Sequence, residues 1–309
     1  MIFLPLSDVK FRGALALIFL LLMIGGCGSA RVAPPSSGVD ENLLRLNRSA
    51  RIAYDNGQLE QAANLYHQAL DRAYLRDDRS AIVDAQYNLA VCMLGLRSYA
   101  KALEWVHKAK KELMGGEQRI SPDILLLEGV VLFRSGKSDQ AWQTTDRILS
   151  APESPPVSVK NKTHFLRGLI ADQRGDTDQL DREINGLVKS TDPGMRADRA
   201  ELAGRLAKAE GRWAAAIEAF DHAVRLRRDD LDYPEMAQAL ALAADAYHQA
   251  GNLSAAARHY YRAGRSAVRL GDNQNAIKWL DSAARLAGQA GDVVLRQDAR
   301  FYLKGLQAP

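Results

Sequence analysis

From Glu41 to the C-terminus apolar residues return every three or four positions, the spacing that lines one face of an α-helix, and almost nowhere do they alternate in the two-residue rhythm of a strand. The pattern predicts helices throughout. Glycines punctuate them at a steady interval: Gly57, Gly136, Gly175, Gly211 and Gly251, with the polar Arg97 filling the one gap, recur every 36 to 40 residues. Their surroundings repeat as well. Ala50-x6-Gly57-x4-Ala62-x3-Tyr66-x2-Ala69 is matched by Ala244-x6-Gly251-x4-Ala256-x3-Tyr260-x2-Ala263 and by Gly204-x6-Gly211-x4-Ala216-x3-Phe220-x2-Ala223. A second unit (Ala90, Arg97, Ala102, Val106, Ala109) keeps all but the glycine, while a third (Gly129, Gly136, Ala141, Thr145, Ile148) and a fourth (Gly168, Gly175, Leu180, Ile184, Leu187) are looser. Near the end, Gly271-x4-Ala276-x3-Leu280-x2-Ala283 returns after only twenty residues, which predicts helices near 253–270, 273–288 and 292–305, the last one capping the open core.

Each conserved spacing has a physical reason. A small residue in the first helix of a unit lets the second pack close, and glycine at the turn takes the left-handed conformation that ends a helix. The two alanines of the second helix lie seven apart on one face, with a bulky residue between them. The pattern resembles the tetratricopeptide repeat over residues 42–290. That resemblance implies an all-α solenoid of about six helical hairpins with a C-terminal capping helix, right-handed, with a concave and a convex surface. The intervals exceed the usual repeat of about 34 residues, and the tryptophan-containing opening of the motif is absent, so longer helices or linkers are expected. Pro152, Pro155 and Pro156 cannot continue a helix. They divide the array into N-terminal repeats at 41–151, a proline-rich joint at 152–160, and C-terminal repeats with their cap at 161–309.

The N-terminus follows a different logic. Lys10 and Arg12 precede an unbroken apolar run from Ala14 to Ile24, too short for the roughly 20 residues that a membrane-spanning helix needs. The run ends in Ile24-Gly25-Gly26-Cys27, which resembles the bacterial lipobox. The resemblance implies a signal peptide at 1–26, cleavage before Cys27, diacylglycerol on its sulfur and a further acyl chain on the new amino group. Two or more acyl chains hold a protein at a membrane where one lets go. In the other reading Cys27 is an incidental thiol, Gly26-Cys27-Gly28-Ser29-Ala30 loosely supplying an ordinary export site. Residues 27–40 contain the lipidated cysteine and a small, polar tether with Pro34-Pro35. The aspartate that keeps well-studied lipoproteins at the inner membrane is replaced by Gly28, which favours an outer-membrane anchor facing the periplasm.

Composition narrows the function. An apolar share of 47% with 25% charged residues excludes wholesale disorder, and aromatics at 7% argue against a nucleic-acid stacking platform. The net charge of +4 names no anionic partner. Cys27 and Cys92 alone cannot make a disulfide framework or a four-cysteine metal site. No His-Glu-x-x-His, no cysteine–histidine cluster and no P-loop occurs, so no catalytic residue, metal or cofactor is assigned and the chain is read as a non-enzyme. Cys92, among Leu89, Val91, Met93 and Leu94, reads as a small buried hydrophobe.

Two surfaces remain as candidates. In tetratricopeptide-repeat proteins the first helix of each unit lines the concave side. Projected onto this sequence, that places Tyr87, Val91 and Leu94, then Leu126, Val130 and Phe133, then Phe165 and Leu169 on a groove able to take an apolar peptide or amphipathic helix, unless neighbouring helices bury them. Glu201, Arg205, Lys208, Asp245, His248 and Gln249 make the corresponding wall of later units polar. Arg258, Arg262, Arg265 and Arg269 share one helical face, either a contact for anionic headgroups or an acidic partner, or a solvated outer face. The resemblances together imply a lipid-anchored periplasmic scaffold for protein partners in an envelope assembly, such as pilus or secretin biogenesis, outer-membrane protein insertion or peptidoglycan enzyme regulation. A ligand- or glycan-binding lipoprotein is the alternative, and oligomeric state stays open. If the lipobox reading holds, Cys27→Ser abolishes labelling of the chain by a fatty-acid probe in cells; persistent labelling removes the assignment.

Overall fold

The computed structural model describes residues 40–115 and 119–307. By contact the chain divides into two units, Met1–Glu41 and Asn42–Pro309, and the architecture below belongs to the second. Cys27 and the signal and tether segments lie outside the described residues. Among those residues there are fourteen helices and no strand. They are α1 (Glu41–Asp55), α2 (Leu59–Leu75), α3 (Arg79–Gly95), α4 (Tyr99–Gly115), α5 (Pro122–Arg134), α6 (Ser138–Leu149) and α7 (Val157–Arg174). The series continues with α8 (Thr177–Gly186), α9 (Pro193–Ala209), α10 (Trp213–Asp229), α11 (Tyr233–Gln249), α12 (Leu253–Arg269), α13 (Asn273–Gln289) and α14 (Val293–Gln307). This is the helical-hairpin solenoid that the resemblance implied, with consecutive helices packed antiparallel. It holds seven pairs, because α14 both terminates the array and completes a pair with α13.

Most helices run 17 residues and most turns three. The longer interval between glycines therefore lengthens the helices and leaves the turns short. Ten turns share one construction. A residue with positive φ ends the helix, and the amide of the next residue donates back to the carbonyl five positions earlier, as Gln58 N does to Ala53 O (2.9 Å) and Asn252 N to Tyr247 O (2.9 Å). In six of the ten that donor also caps the following helix. Asp78, Asp176, Asp232, Asn252, Asp272 and Asp292 each accept an amide of the next first turn through the side chain. Both orphaned helix ends are satisfied within three residues, which forces neighbouring helices antiparallel.

Packing depends on close approach. Ala50, Ala62, Ala69 and their equivalents are fully buried, and Phe220 fills the space over Gly204, where an added Cβ would stand 2.6 Å from its ring. Six apolar clusters run end to end from α1 to α14, each drawing on neighbouring helices, so no pair holds a core of its own.

The looser third and fourth units are visibly irregular. Helices α6 and α8 are only 12 and 10 residues long. Residues 150–156 are non-helical, and residues 157–160 of the expected joint form the first turn of α7. Where α8 stops early, buried Asn161 of α7 accepts the Val188 amide (2.9 Å) and Arg199 of α9 donates to the Ile184 and Leu187 carbonyls (3.1 and 3.2 Å). These polar contacts take over from the missing helical turns. Among the described residues no helix is long and apolar enough to cross a membrane.

One substitution tests the packing rule. At Gly264, facing α13, a new methyl would meet Leu280 Cγ at 2.6 Å and the Leu280 amide nitrogen at 3.1 Å. Gly264→Ala is expected to lose about 1–2 kcal/mol net of its gain in helix propensity, measured by urea unfolding of the whole chain.

Candidate interaction surface

Among closely packed pairs, odd helices touch odd helices at α3–α5, α5–α7 and α7–α9, while even helices do so only at α12–α14. The array therefore bends with the odd helices inside. Seven of the eight residues projected onto that wall are half-buried there: Tyr87, Val91 and Leu94 on α3, Val130 and Phe133 on α5, and Phe165 and Leu169 on α7. Each rests one side on a core cluster. The Tyr87 hydroxyl is pushed up to about 12 by burial, with Asp123 and Tyr54 adding repulsion, so it stays neutral and serves the wall as an apolar ring with a hydrogen-bonding tip.

Leu126 departs from the projection. It is 2% exposed and belongs to the core with Ile148, Val159 and Leu166. The shortened α6 lets α7 lie directly on α5, and α7 covers it. The stripe is thus continuous on α3 and interrupted at the start of α5.

Farther along, the wall changes character. Glu201, expected on the polar surface, is also buried, at 2%. It accepts Arg205 Nε and Nη2 (3.0 and 2.8 Å), and Arg205 Nη1 reaches Asp172 on α7 (2.7 Å). Behind it Arg227, 1% exposed, donates to Asp198 (2.5 Å) and to Asp232 (3.2 Å), and Lys162 pairs with Asp198 at 2.8 Å. One network ties α7, α9 and α10 to the cap of α11. Burial raises the Glu201 carboxyl above its usual range and Glu235 adds to this, against the pull of Arg205 and Arg227; its Oε2 accepts no hydrogen bond. The pattern of small and apolar positions carried no sign of this network, although Arg227 followed by Asp232 at the end of a helix was readable as a charge pair. Lys208, Asp245 and His248 are half-buried, and Gln249 is exposed.

A second polar tie joins α10, α11 and α12. Asp221 accepts from Tyr247 Oη (3.0 Å) and pairs with His259 Nε2 (3.2 Å), while His259 Nδ1 lies 2.9 Å from the Ala255 carbonyl. Burial works against the Asp221 charge, but those bonds hold its carboxyl below the usual range. Glu183 is treated likewise by His164 and Arg167. Both clusters brace helices and neither presents a nucleophile. The Cys92 thiol, fully buried and pushed up to about 12 by desolvation, stays neutral. Among the described residues no group of three His, Cys, Asp or Glu side chains could hold a metal ion.

Arg258, Arg262, Arg265 and Arg269 are all exposed on α12, an outer helix, with the Arg265 guanidinium 5.6 Å from the Tyr261 ring. The structure keeps them on one face and away from the inner wall.

A tetratricopeptide-repeat family model matches residues 47–117 and 202–263, and a second one matches residues 257–289, together about half of the chain. No curated protein matches the sequence. Among solved structures, a Rap protein complexed with Competence and Sporulation Factor is similar with a TM-score of 0.56 at 9% identity, covering 86% of this chain and 76% of that one. The STAND protein PH0952 of Pyrococcus horikoshii, with a tetratricopeptide repeat sensor, gives 0.52 at 12% identity over 85% of this chain and 42% of its own. The apo form of RapI gives 0.51 at 11% identity over 85% and 76%. At these identities the likeness is one of fold.

The buried network makes a sharp demand on Arg227. Truncating it removes the buried hydrogen bonds to Asp198 and Asp232 and leaves Lys162 as the remaining partner of Asp198, so Arg227→Ala should cost about 3–5 kcal/mol in urea unfolding. Adding Asp198→Asn should return part of that loss.

Proposed function

We propose, from the premise that the chain belongs to the tetratricopeptide-repeat family, whose members generally mediate protein–protein interactions, that it is a lipid-anchored scaffold holding an apolar polypeptide segment against its inner wall. One observation carries the reading: Tyr87, Val91, Leu94, Val130, Phe133, Phe165 and Leu169 stand half-exposed on three successive inner helices. Half-buried aromatics and aliphatics held on rigid helices lose little side-chain entropy on contact, which suits them to anchor a partner.

The anchor and address rest on the sequence. Acyl chains at Cys27 would fasten the molecule, residues 28–40 would set its distance from the bilayer, and Gly28 favours the periplasmic face of the outer membrane as the setting. The partner would then be a component of an envelope assembly, and the chain a support for it with no chemistry of its own.

A photo-crosslinking residue in place of Val130 should give a discrete adduct in intact cells, and one in place of the outer, exposed Lys108 should not. Phe133→Ala should weaken the Val130 adduct about tenfold, as loss of a central aromatic anchor does. Equal adduct patterns from the two positions would overturn the inner-wall reading.

A further inference from the structure

Seven turns join the first helix of a pair to the second, and in six of them the left-handed residue is glycine: Gly57, Gly136, Gly175, Gly211, Gly251 and Gly291. The seventh is Arg97, with φ of 57°. A Cβ makes that conformation unfavourable, so this turn keeps a side chain where its siblings keep none. The side chain has a use that glycine could not supply. Arg97 Nη2 donates to both carboxylate oxygens of Asp272 (3.2 and 3.3 Å), and Nη1 donates to Gln274 Oε1 at the start of α13. Beside it the α1–α2 turn closes on the same place, a Cβ at Gly57 lying 3.8 Å from the Leu270 carbonyl oxygen.

The two partners of this contact lie on opposite edges of the array. Arg97 and Gly57 belong to turns within a pair, whereas Leu270 and Asp272 belong to a turn between pairs. Within residues 42–309 the helices therefore come round until the leading edge of the first two pairs rests on the trailing edge next to the last. Nothing else in this contact needs Arg97. Asp272 already caps α13 through the Asn275 amide (3.2 Å) and binds Asn275 Nδ2 (2.7 Å).

We propose that Arg97 is a latch that closes the two ends of the array on each other and limits access to the inner wall, so that a polypeptide enters when the latch releases. The proposal rests on the inner-wall reading and adds its control. Release is within easy reach, because the Arg97 and Asp272 side chains are 45% and 35% exposed and both water and salt compete for them.

The test uses the full chain carrying Leu169→Cys, a half-buried wall position two pairs away from Arg97, and follows its maleimide labelling by peptide mass mapping. In low salt Arg97→Gly should label about threefold faster, as expected from loss of one exposed ion pair, and its radius of gyration in solution scattering should rise. The unlatched chain should lose salt dependence, while the parent should approach its rate in roughly 0.5 M sodium chloride. Glycine relaxes the turn, so the thermal midpoint should hold or rise, which separates opening from unfolding. Asp272→Asn with Gln274→Ala keeps a capping side chain and should open the array with Arg97 in place. Parent-like labelling of both variants in low salt overturns the latch. Because maleimide needs no partner, these rates read the latch even if the inner wall binds nothing.

Discussion

A helix ends with carbonyls that have no partner, and the next begins with amides in the same condition. In this chain a single three-residue turn answers both. Its left-handed residue lets the following amide reach back to the old helix, and at six of these turns the side chain of that following residue caps the new one. The helices then have no choice but to run antiparallel, and because most turns are three residues long, most successive helices present the same faces to one another. Stacking follows from burial, since the apolar clusters bridge neighbouring helices and none closes inside a single pair.

Where the rhythm falters, charge replaces apolar contact. Helices α6 and α8 stop early, and the structure fills the deficit with Asn161, Arg199 and the Arg227–Asp198–Lys162 network. Ions sealed between helices contribute little net stability compared with well-packed apolar side chains, but they tolerate only one arrangement of their partners. The junction between the middle and last pairs is thereby fixed in register. It also divides the inner wall into an apolar stretch on α3, α5 and α7 and a stretch on α9 whose charges are spent internally.

The chemistry that is present serves the same end. Asp221 with Tyr247 and His259, and Glu183 with His164 and Arg167, are carboxylates held in their charged form by donors from other helices. Each works as a brace. The exposed arginines of α12 remain on the outside, on a different face from the half-exposed aromatics. Contact surfaces and structural charges are therefore kept apart in the fold.

Much of this was legible in the residues alone. The period of glycine and alanine marked the helices and most of their turns, because close approach and left-handed turns admit few residue types, whereas the wall positions followed from the resemblance to the tetratricopeptide repeat. The seventh pair turns on Gly291, where the sequence suggested a lone capping helix, and the turns at Asp77, Arg97 and Leu231 adopt the left-handed conformation without glycine. Tertiary structure alone decided the fate of Leu126 and Glu201, since their burial depends on how far a neighbouring helix extends. It alone brought Arg97 to Asp272, 175 residues away. A sequence pattern records what each helix needs from its neighbours, whereas contacts across the whole array depend on small angles summed over many turns, and no local spacing encodes that sum.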